Sequence, residues 1–353
     1  MIANSGEYRK KNGQRGYVMM NNFIFENKTK VYFGKGGVKE YLGGLLANFG
    51  ETVMLAYGGG SIKCNGVYDE IMGILNAQGK CVVEFSGIMS NPTYAKVQDG
   101  AKLAHENHVD LILAVGGGSV SDCCKVISGA FDTLSHAMET YFGKPDENNL
   151  SDDINEAVMR SVIRNIRILL TDPENYDARS ELAWASAMAE NGALKIGKVT
   201  DFQAHQIEHQ PGAYTNCNHG AGLAVIHLVL YRHIYKSGAA RFARFAQNVW
   251  GIAPKGSDEE TAAASIDALA AFIKEIGLPT TFTELGIPAD TDFRAVADST
   301  NITAGCCKKL TRDKICEFCR NACEYPRFSQ QNEAFFALCS IFGFSASCIW
   351  AKA

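Results

Sequence analysis

Three histidines lie within residues 201–222, whose sequence is DFQAHQIEHQPGAYTNCNHGAG. His205 and His209 are four residues apart, so they share one face of the segment if it is helical. His219 follows at the start of an HGAG turn, where glycine allows a sharp bend. Imidazole nitrogens are common ligands of iron and zinc. The segment is therefore a candidate for one side of a divalent-metal site.

A second fragment, DTLSH, begins at Asp132 and ends at His136. These two residues are also four apart, and on a helix they place a carboxylate beside an imidazole. Together the two fragments offer one carboxylate and two or three imidazoles. A purely structural interpretation stays open here, because i,i+4 pairs arise often by chance and single histidines are usually core or surface residues.

The run FDTLSHAMETYFG, followed by HQIEHQPGAYTNCNHGAGLAVI, closely resembles the iron-containing (group III) alcohol dehydrogenases, particularly their NADPH-dependent butanol dehydrogenase branch. The resemblance covers roughly residues 20–324. It implies that Fe²⁺ or Zn²⁺ is held by Asp132, His136, His205 and His219. It also implies that His209 lies in the cleft beside cofactor and substrate, where we expect it to relay a proton or shape the pocket as the catalytic residue.

The N-terminal part of the chain alternates short apolar runs with helical stretches. Residues 30–33, 52–57, 81–85 and 111–115 predict strands, and 94–107 predicts a helix between two of them. Buried strands that alternate with helices predict a parallel α/β sheet, in which ligands bind beyond the carboxyl ends of the strands.

A GGGS turn follows two of the predicted strands, at residues 58–61 and 116–119. Glycines let a pyrophosphate approach the backbone, and a helix N-terminus offers free N–H groups. One such turn is only a flexible loop, but two after two strands indicate a nucleotide site. The second turn, with Asp122 and Lys125, also matches a GGGS-x-x-D-x-x-K element of the resembled family. The predicted cofactor-binding residues are Gly58, Gly59, Gly60, Ser61, Asn91, Gly116, Gly117, Gly118, Ser119 and Asp122.

The first turn bears on the choice of cofactor. Residues 57–63, YGGGSIK, contain a hydroxyl and a cation but no carboxylate that would accept the ribose hydroxyls of NAD. This composition suits a 2′-phosphate and predicts NADP(H) in preference to NAD(H). The alternative is that Lys63 is an ordinary surface charge.

Beyond Asp132 the pattern becomes helical, with predicted helices at 155–170, 180–190, 221–235, 257–276, 293–298 and 313–324. We expect a truncated α/β nucleotide-binding domain at 19–130 and an all-helical metal-binding domain at 131–324, across a cleft from it. By resemblance this is an incomplete form of the dehydroquinate synthase-like, iron-type alcohol dehydrogenase architecture.

One long segment of the resembled family is absent, because KVISGAF at 125–131 runs directly into Asp132. We therefore expect Leu111–Val115 to be an exposed edge strand. A helix at 120–128 would run about 14 Å from the cleft edge, and residues 129–131 reach back only about 10 Å. Either the helical domain is displaced or the helix is partly unwound. The pattern indicates a deletion variant, a mispredicted gene or a natural remnant.

The composition limits the function classes. A net charge of −4 gives no argument for nucleic acid or an anionic membrane surface as a partner. The twelve cysteines follow no signal peptide, so free thiols in a reducing cytoplasm are expected. Cys316, Cys319 and Cys323 have the spacing of a buried helical face, which we prefer to a zinc or iron–sulfur site.

Both ends of the chain lie outside the resemblance. Residues 1–18 predict a disordered leader or a start codon assigned too early. The tail at 325–353 contains an uncharged run at 334–351, barely long enough to cross a bilayer. An interface helix or sequence foreign to the fold is preferred to a membrane anchor.

These features predict a metal-dependent alcohol dehydrogenase or aldehyde reductase that transfers a hydride between NADP(H) and a small aliphatic alcohol or aldehyde. One alternative is a relative that acts on polyols or cyclises a sugar phosphate. Another is a catalytically inactive deletion remnant that retains metal or nucleotide binding. A homodimer stays open.

Overall fold

The computed structural model describes residues 24–25, 30–88, 94–115, 123–144, 148–215, 217–305 and 307–323. The expected leader and tail lie outside these residues. So do several predicted cofactor-binding residues, namely Asn91, Gly116, Gly117, Gly118, Ser119 and Asp122.

Three parallel strands form the N-terminal sheet in the order β2-β1-β3. They are β1 (Thr52–Tyr57), β2 (Cys81–Phe85) and β3 (Leu111–Val115), and the helices between and before them are α1 (Gly37–Leu46), α2 (Ser61–Cys64), α3 (Val67–Ala77) and α4 (Tyr94–Glu106). Central strand β1 is buried, and Val53 and Leu55 pack with Leu75 of α3 in one apolar cluster. The predicted parallel α/β sheet is confirmed.

The prediction of a strand at residues 30–33 is wrong. These residues form no strand, and Val31, Tyr32 and Phe33 are all exposed. An isolated β-prone run gains no ladder hydrogen bonds, and the aromatic rings instead contact Tyr41 at 5.1 Å and Trp184 at 6.3 Å between ring centroids.

Strand β3 lies at the edge of the sheet in the described part of the chain, since it pairs with β1 alone. Ile112 on this strand is 59% exposed. This is the exposed edge expected from the absent segment.

The described residues that follow β3 form helices joined by loops. The elements are α5 (Cys123–Tyr141), α6 (Leu150–Thr171), α7 (Tyr176–Glu190), a 3₁₀ turn (Ala193–Lys195), α8 (Gln203–Thr215), α9 (His219–Ile234), a 3₁₀ turn (Tyr235–Gly238), α10 (Ala239–Asn248), α11 (Asp258–Glu275), α12 (Phe293–Ser299) and α13 (Arg312–Asn321). Each predicted helix in this part is present. Their apolar faces form one core that includes Phe131, Met159, Leu228, Phe245 and Phe272. No helix in the described ranges is both long and apolar enough to cross a membrane.

Helix α5 is continuous through the point where a turn was expected. Residues 129–131 are helical, so the expected return loop to Asp132 is wrong. Ala130 and Phe131 are buried in the helical core, which favours continuation of the helix. Gly129 is exposed and tolerated within it. Asp132 is therefore reached along the helix axis.

The cysteines of α13 lie where the spacing predicted. Cys316 and Cys319 are buried with the helical core, and Cys323 packs against it. Burial raises the pKa of the Cys319 thiol to about 12, so it stays protonated. Among the cysteines whose side chains are described, Cys64, Cys81, Cys316 and Cys319 are free thiols.

Candidate metal centre

Helices α5, α8 and α9 bring the four predicted metal residues together. Asp132, His205 and His219 each offer one ligand atom, and these atoms lie within 4.8 Å of one another. The Asp132 Oδ1 atom is 3.7 Å from His136 Nε2, 3.4 Å from His205 Nε2 and 3.6 Å from His219 Nε2. The Nε2 atoms of His136 and His205 are 3.1 Å apart. Bonds of about 2.1 Å to one ion place neighbouring ligand atoms roughly 3.0–3.4 Å apart.

The polar atoms at this point fit a divalent cation. Asp132 Oδ1 is buried and has no hydrogen-bond partner in the described structure. An orphaned buried carboxylate oxygen is energetically unfavourable unless a cation or donor satisfies it. One carboxylate with imidazole nitrogens is a ligand set of iron and zinc sites.

Two buried glutamates accept hydrogen bonds from Nδ1 of two of these imidazole rings. Glu139 of α5 accepts a short hydrogen bond from Nδ1 of His205, and its other oxygen accepts one from the backbone N–H of Ala204 at 2.5 Å. Glu208 of α8 accepts a short hydrogen bond from Nδ1 of His219. A carboxylate on Nδ1 orients the ring and leaves Nε2 free as the ligand atom.

Sequence reasoning missed both glutamates, although local signals for them exist. Glu139 is seven residues after Asp132, so the two share a helical face. Glu208 is next to His209 in the HQIEH run, and its side chain points to the opposite side of α8 from the solvent. The partner histidines are 66 and 11 residues away in the chain, which spacing alone does not reveal.

The sharp bend expected at HGAG is wrong, because residues 219–222 are the start of α9. Gly222 of this segment makes room for one of the two glutamates. A Cβ atom at Gly222 would lie 2.5 Å from Glu208 Oε1 and 2.9 Å from its Cγ. Any side chain at this position would displace the carboxylate that orients His219. The glycine is thus required by packing inside α9 rather than by a turn.

The surroundings of the histidines shift their pKa values in different directions. Burial lowers the pKa of His205, but the neighbouring carboxylates of Asp132 and Glu139 outweigh it and raise that pKa to about 9. Burial, with the adjacent His205, lowers the pKa of His136 to about 4. Burial lowers the pKa of His219, but the hydrogen bond that its ring donates to Glu208 outweighs burial and raises that pKa.

His209 lies one turn beyond His205 on α8 and faces the same site. Its ring stacks on that of His219, with centroids 5.4 Å apart and planes 25° apart. Burial, and then the charges of His219 and His205, lower its pKa, which keeps the ring neutral near pH 7. His209, Glu208, Gly212, Ala213 and His219 line a cavity of about 240 Å³.

The first glycine turn, Gly58, Gly59 and Gly60, follows β1 at the carboxyl edge of the sheet, and Ser61 begins α2. Gly60 has φ 112°, a left-handed backbone angle that favours glycine. A Cβ at Gly58 would lie 3.2 Å from the backbone oxygen of Ile88.

A carboxylate that sequence reasoning missed lies beside this turn. Glu84 of β2 accepts hydrogen bonds from the hydroxyls of Tyr57 and Tyr68, both at 2.5 Å. Lys63 Nζ is 3.4 Å from Glu84 Oε2 and 4.5 Å from the Tyr68 ring centroid. The turn segment itself lacks a carboxylate, but the neighbouring strand supplies one.

Two family models match the chain. A model described as iron-containing alcohol dehydrogenase matches residues 28–156. A model described as the C-terminal part of the Fe-containing alcohol dehydrogenase family matches residues 126–323. The two matches overlap along α5 and together cover the sheet and the helices around the metal centre.

Individual relatives agree with this assignment. A probable NADH-dependent butanol dehydrogenase of Bacillus subtilis (strain 168) is 30% identical over 351 residues, covering 76% of this chain and 90% of the relative. The NADPH-dependent aldehyde reductase YqhD of Escherichia coli (strain K12) is 26% identical, covering 76% and 90%. The solved NADH-dependent butanol dehydrogenase A of Thermotoga maritima is 27% identical with a TM-score of 0.79, covering 86% and 99%.

The B. subtilis match also shows that the chain lacks residues that the relative has within the matched region. It runs over 351 positions yet uses only 76% of a 353-residue chain, so the relative has residues inside the match without a counterpart here. This agrees with the internal segment that the sequence lacks.

Proposed function

The chain belongs to the iron-containing alcohol dehydrogenase family, whose characterised relatives are oxidoreductases, and from this premise we propose that it transfers a hydride between NADP(H) and a small aliphatic alcohol or aldehyde. The observation that carries the proposal is the convergence of Asp132, His136, His205 and His219 on one buried, orphaned carboxylate oxygen. These four side chains would hold Fe²⁺ or Zn²⁺.

The protein groups around the centre would prepare it for this chemistry. A bound divalent ion supplies Lewis acidity toward an alcohol or aldehyde oxygen. Glu139 and Glu208 hold the rings of His205 and His219 by Nδ1, so that each Nε2 would be the ligand atom. His209, neutral and beside the 240 Å³ cavity, is placed to hold or move a proton of the substrate hydroxyl.

The cofactor preference is argued from the first glycine turn. The nicotinamide ring carries the hydride in such reactions. Relatives include proteins named for NADH and for NADPH, so they support either form. Lys63 supports NADP(H), because its ammonium group lies just beyond the turn and suits a 2′-phosphate. Its ion pair with Glu84 is solvent-exposed, with side-chain exposures of 48% and 41%, and is therefore weak enough for phosphate to replace it.

We propose two domains that meet along α5, a nucleotide-binding domain at 19–130 and a metal-binding domain at 131–324. One helix, α5, carries residues that follow the second glycine turn and also two of the proposed metal ligands, Asp132 and His136. The second candidate function, an inactive remnant that keeps the metal centre, is favoured by the single-sided pairing of β3 and the absent segment.

The decisive experiment is NADPH oxidation with butanal by the full chain, purified anaerobically and loaded with Fe²⁺. A metal-free sample and His219→Ala should abolish turnover, whereas His105→Ala, an exposed histidine on α4, should not. Absence of turnover with one equivalent of metal bound would favour the remnant. Turnover that survives His219→Ala would contradict the proposed metal centre.

A further inference from the structure

A fifth potential ligand lies at the metal centre. Glu190, the last residue of α7, places Oε1 2.9 Å from Nε2 of His136. That nitrogen is the one that faces Asp132 and His205. We propose that Glu190 is a further ligand of the divalent ion, so that the centre consists of two carboxylates and three imidazoles. The inference rests on the metal site of the proposed function.

The distance is the first argument. Two ligand atoms bonded at about 2.1 Å to one ion, at a right angle, are roughly 3 Å apart. The 2.9 Å separation between Glu190 and His136 matches this, as does the 3.1 Å between His136 and His205.

The chemistry of the imidazole is the second argument. His136 Nε2 would be the ligand atom, because it is the ring nitrogen that lies 3.7 Å from Asp132 Oδ1 and 3.1 Å from His205 Nε2. As a ligand, Nε2 is unprotonated and presents a lone pair. A carboxylate oxygen 2.9 Å from a lone pair is repelled unless a cation lies between them. A shared ion supplies that cation, whereas a simple hydrogen bond would remove His136 from coordination.

The position of Glu190 in the fold is the third argument. A carboxylate at the C-terminal end of a helix faces the negative end of the helix dipole. The last turn of α7 contains no basic residue, and Asp132 adds a second negative charge nearby. The ammonium group of Lys195 is the nearby charge of opposite sign. Lys195 Nζ itself lies over the Phe202 ring, 4.7 Å from its centroid. A cation in the site would offset this unfavourable charge.

The helix end fixes where Glu190 can reach. Asn191 follows it as the C-cap, and Gly192 then turns the chain with φ 85°. The Glu190 side chain is 49% exposed and can adjust by a rotamer change. Two carboxylates balance the double positive charge of the ion, because the three histidines bind it as neutral ligands. The five ligands exceed the four of most structural zinc sites.

The proposal is tested by titrating Co²⁺ into the metal-free full chain. Binding is monitored by calorimetry and by the visible d–d absorption of Co²⁺. Five-coordinate Co²⁺ absorbs less strongly than tetrahedral Co²⁺. We expect Glu190→Ala to weaken Co²⁺ binding tenfold or more, at about the size of effect seen when supporting groups of metal sites are removed. The d–d bands should intensify at the same time. Glu190→Gln keeps the shape of the side chain and should also weaken binding.

Glu181→Ala is the matched control, since it removes an exposed carboxylate from the same helix. It should change neither affinity nor spectrum. If the wild-type chain binds no Co²⁺, the metal site itself fails, and with it this proposal. If the wild-type chain binds one equivalent and both Glu190 variants match it, the metal site stands and Glu190 is no ligand. Weaker binding with an unchanged spectrum would make Glu190 an outer neighbour and would also overturn the proposal.

Discussion

The carboxylate of Glu208 fills the space that a side chain at Gly222 would occupy, beside the proposed metal centre. A Cβ atom at Gly222 would lie 2.5 Å from Glu208 Oε1, and the same glutamate holds Nδ1 of His219 with its other oxygen. The absence of a side chain at Gly222 therefore sets the orientation of His219, a proposed metal ligand on the same helix. This relationship links a backbone position to the chemistry of the site.

Gly222→Ala is expected to displace the Glu208 carboxylate and weaken metal binding about 10–100-fold. Alanine is the better helix former, so the helix itself should persist. A metal titration with circular dichroism on the same sample measures both. Gly129→Ala is the control, because a Cβ there meets nothing within 4 Å; it should stabilise α5 by about 0.5–1 kcal/mol. Unchanged metal affinity in Gly222→Ala would refute the packing argument.

Metal affinity should rise with pH between about 6.5 and 9. His205 has a pKa of about 9 in the metal-free fold against its ordinary value of 6.5, and its proton must leave when Nε2 binds metal. One released proton corresponds to about tenfold in affinity per pH unit. Zn²⁺ titrations across this range measure the slope, and a flat profile would contradict it.

The same raised pKa predicts the pH dependence of the metal-free fold. Protonated His205 stabilises the folded state, and this contribution is fully present below pH 6.5. It is lost as the pH rises through about 9. Glu139→Gln removes one of the two carboxylates that raise the pKa, so the loss should occur at lower pH in that variant. Urea denaturation at several pH values measures both.

Lys63→Ala should separate the two cofactors. Loss of a charge-assisted hydrogen bond to phosphate corresponds to about 1.5–3 kcal/mol, or more than tenfold in Kd. We expect NADPH binding to weaken by that factor and NADH binding to change little. Fluorescence titration of both cofactors measures the difference. Glu84→Gln, which removes the competing partner of Lys63, should act in the opposite direction. Equal losses for both cofactors would argue against a 2′-phosphate contact.

Asp152 anchors the helical core through two buried cations. Its side chain is fully buried, and Oδ1 lies 2.6 Å from Lys198 Nζ and 2.5 Å from Arg241 Nη2. Asp152→Ala would remove the carboxylate that neutralises both buried cations, which is expected to destabilise the fold by about 3–5 kcal/mol. Thermal unfolding measures the change. Asp313→Ala breaks the exposed pair with Arg294 and should cost less than about 1 kcal/mol.

The amino-acid sequence by itself determined the features that depend on local spacing. The i,i+4 pair of Asp132 and His136 shares one face of α5, and the predicted helices formed because their apolar residues recur at helical intervals. Gly60 follows β1 with a backbone angle that glycine adopts readily. Such features need only neighbours along the chain.

Tertiary structure alone decided which faces meet. Glu139 reaches His205 across 66 residues, Glu84 reaches Lys63 from another strand, and neither partner is visible in local spacing. The unbroken α5 was also decided by packing, because burial of Ala130 and Phe131 in the helical core outweighs the helix-weakening glycine beside them. Burial of apolar surface brings these segments together, and its free energy does not depend on how far apart they are along the chain.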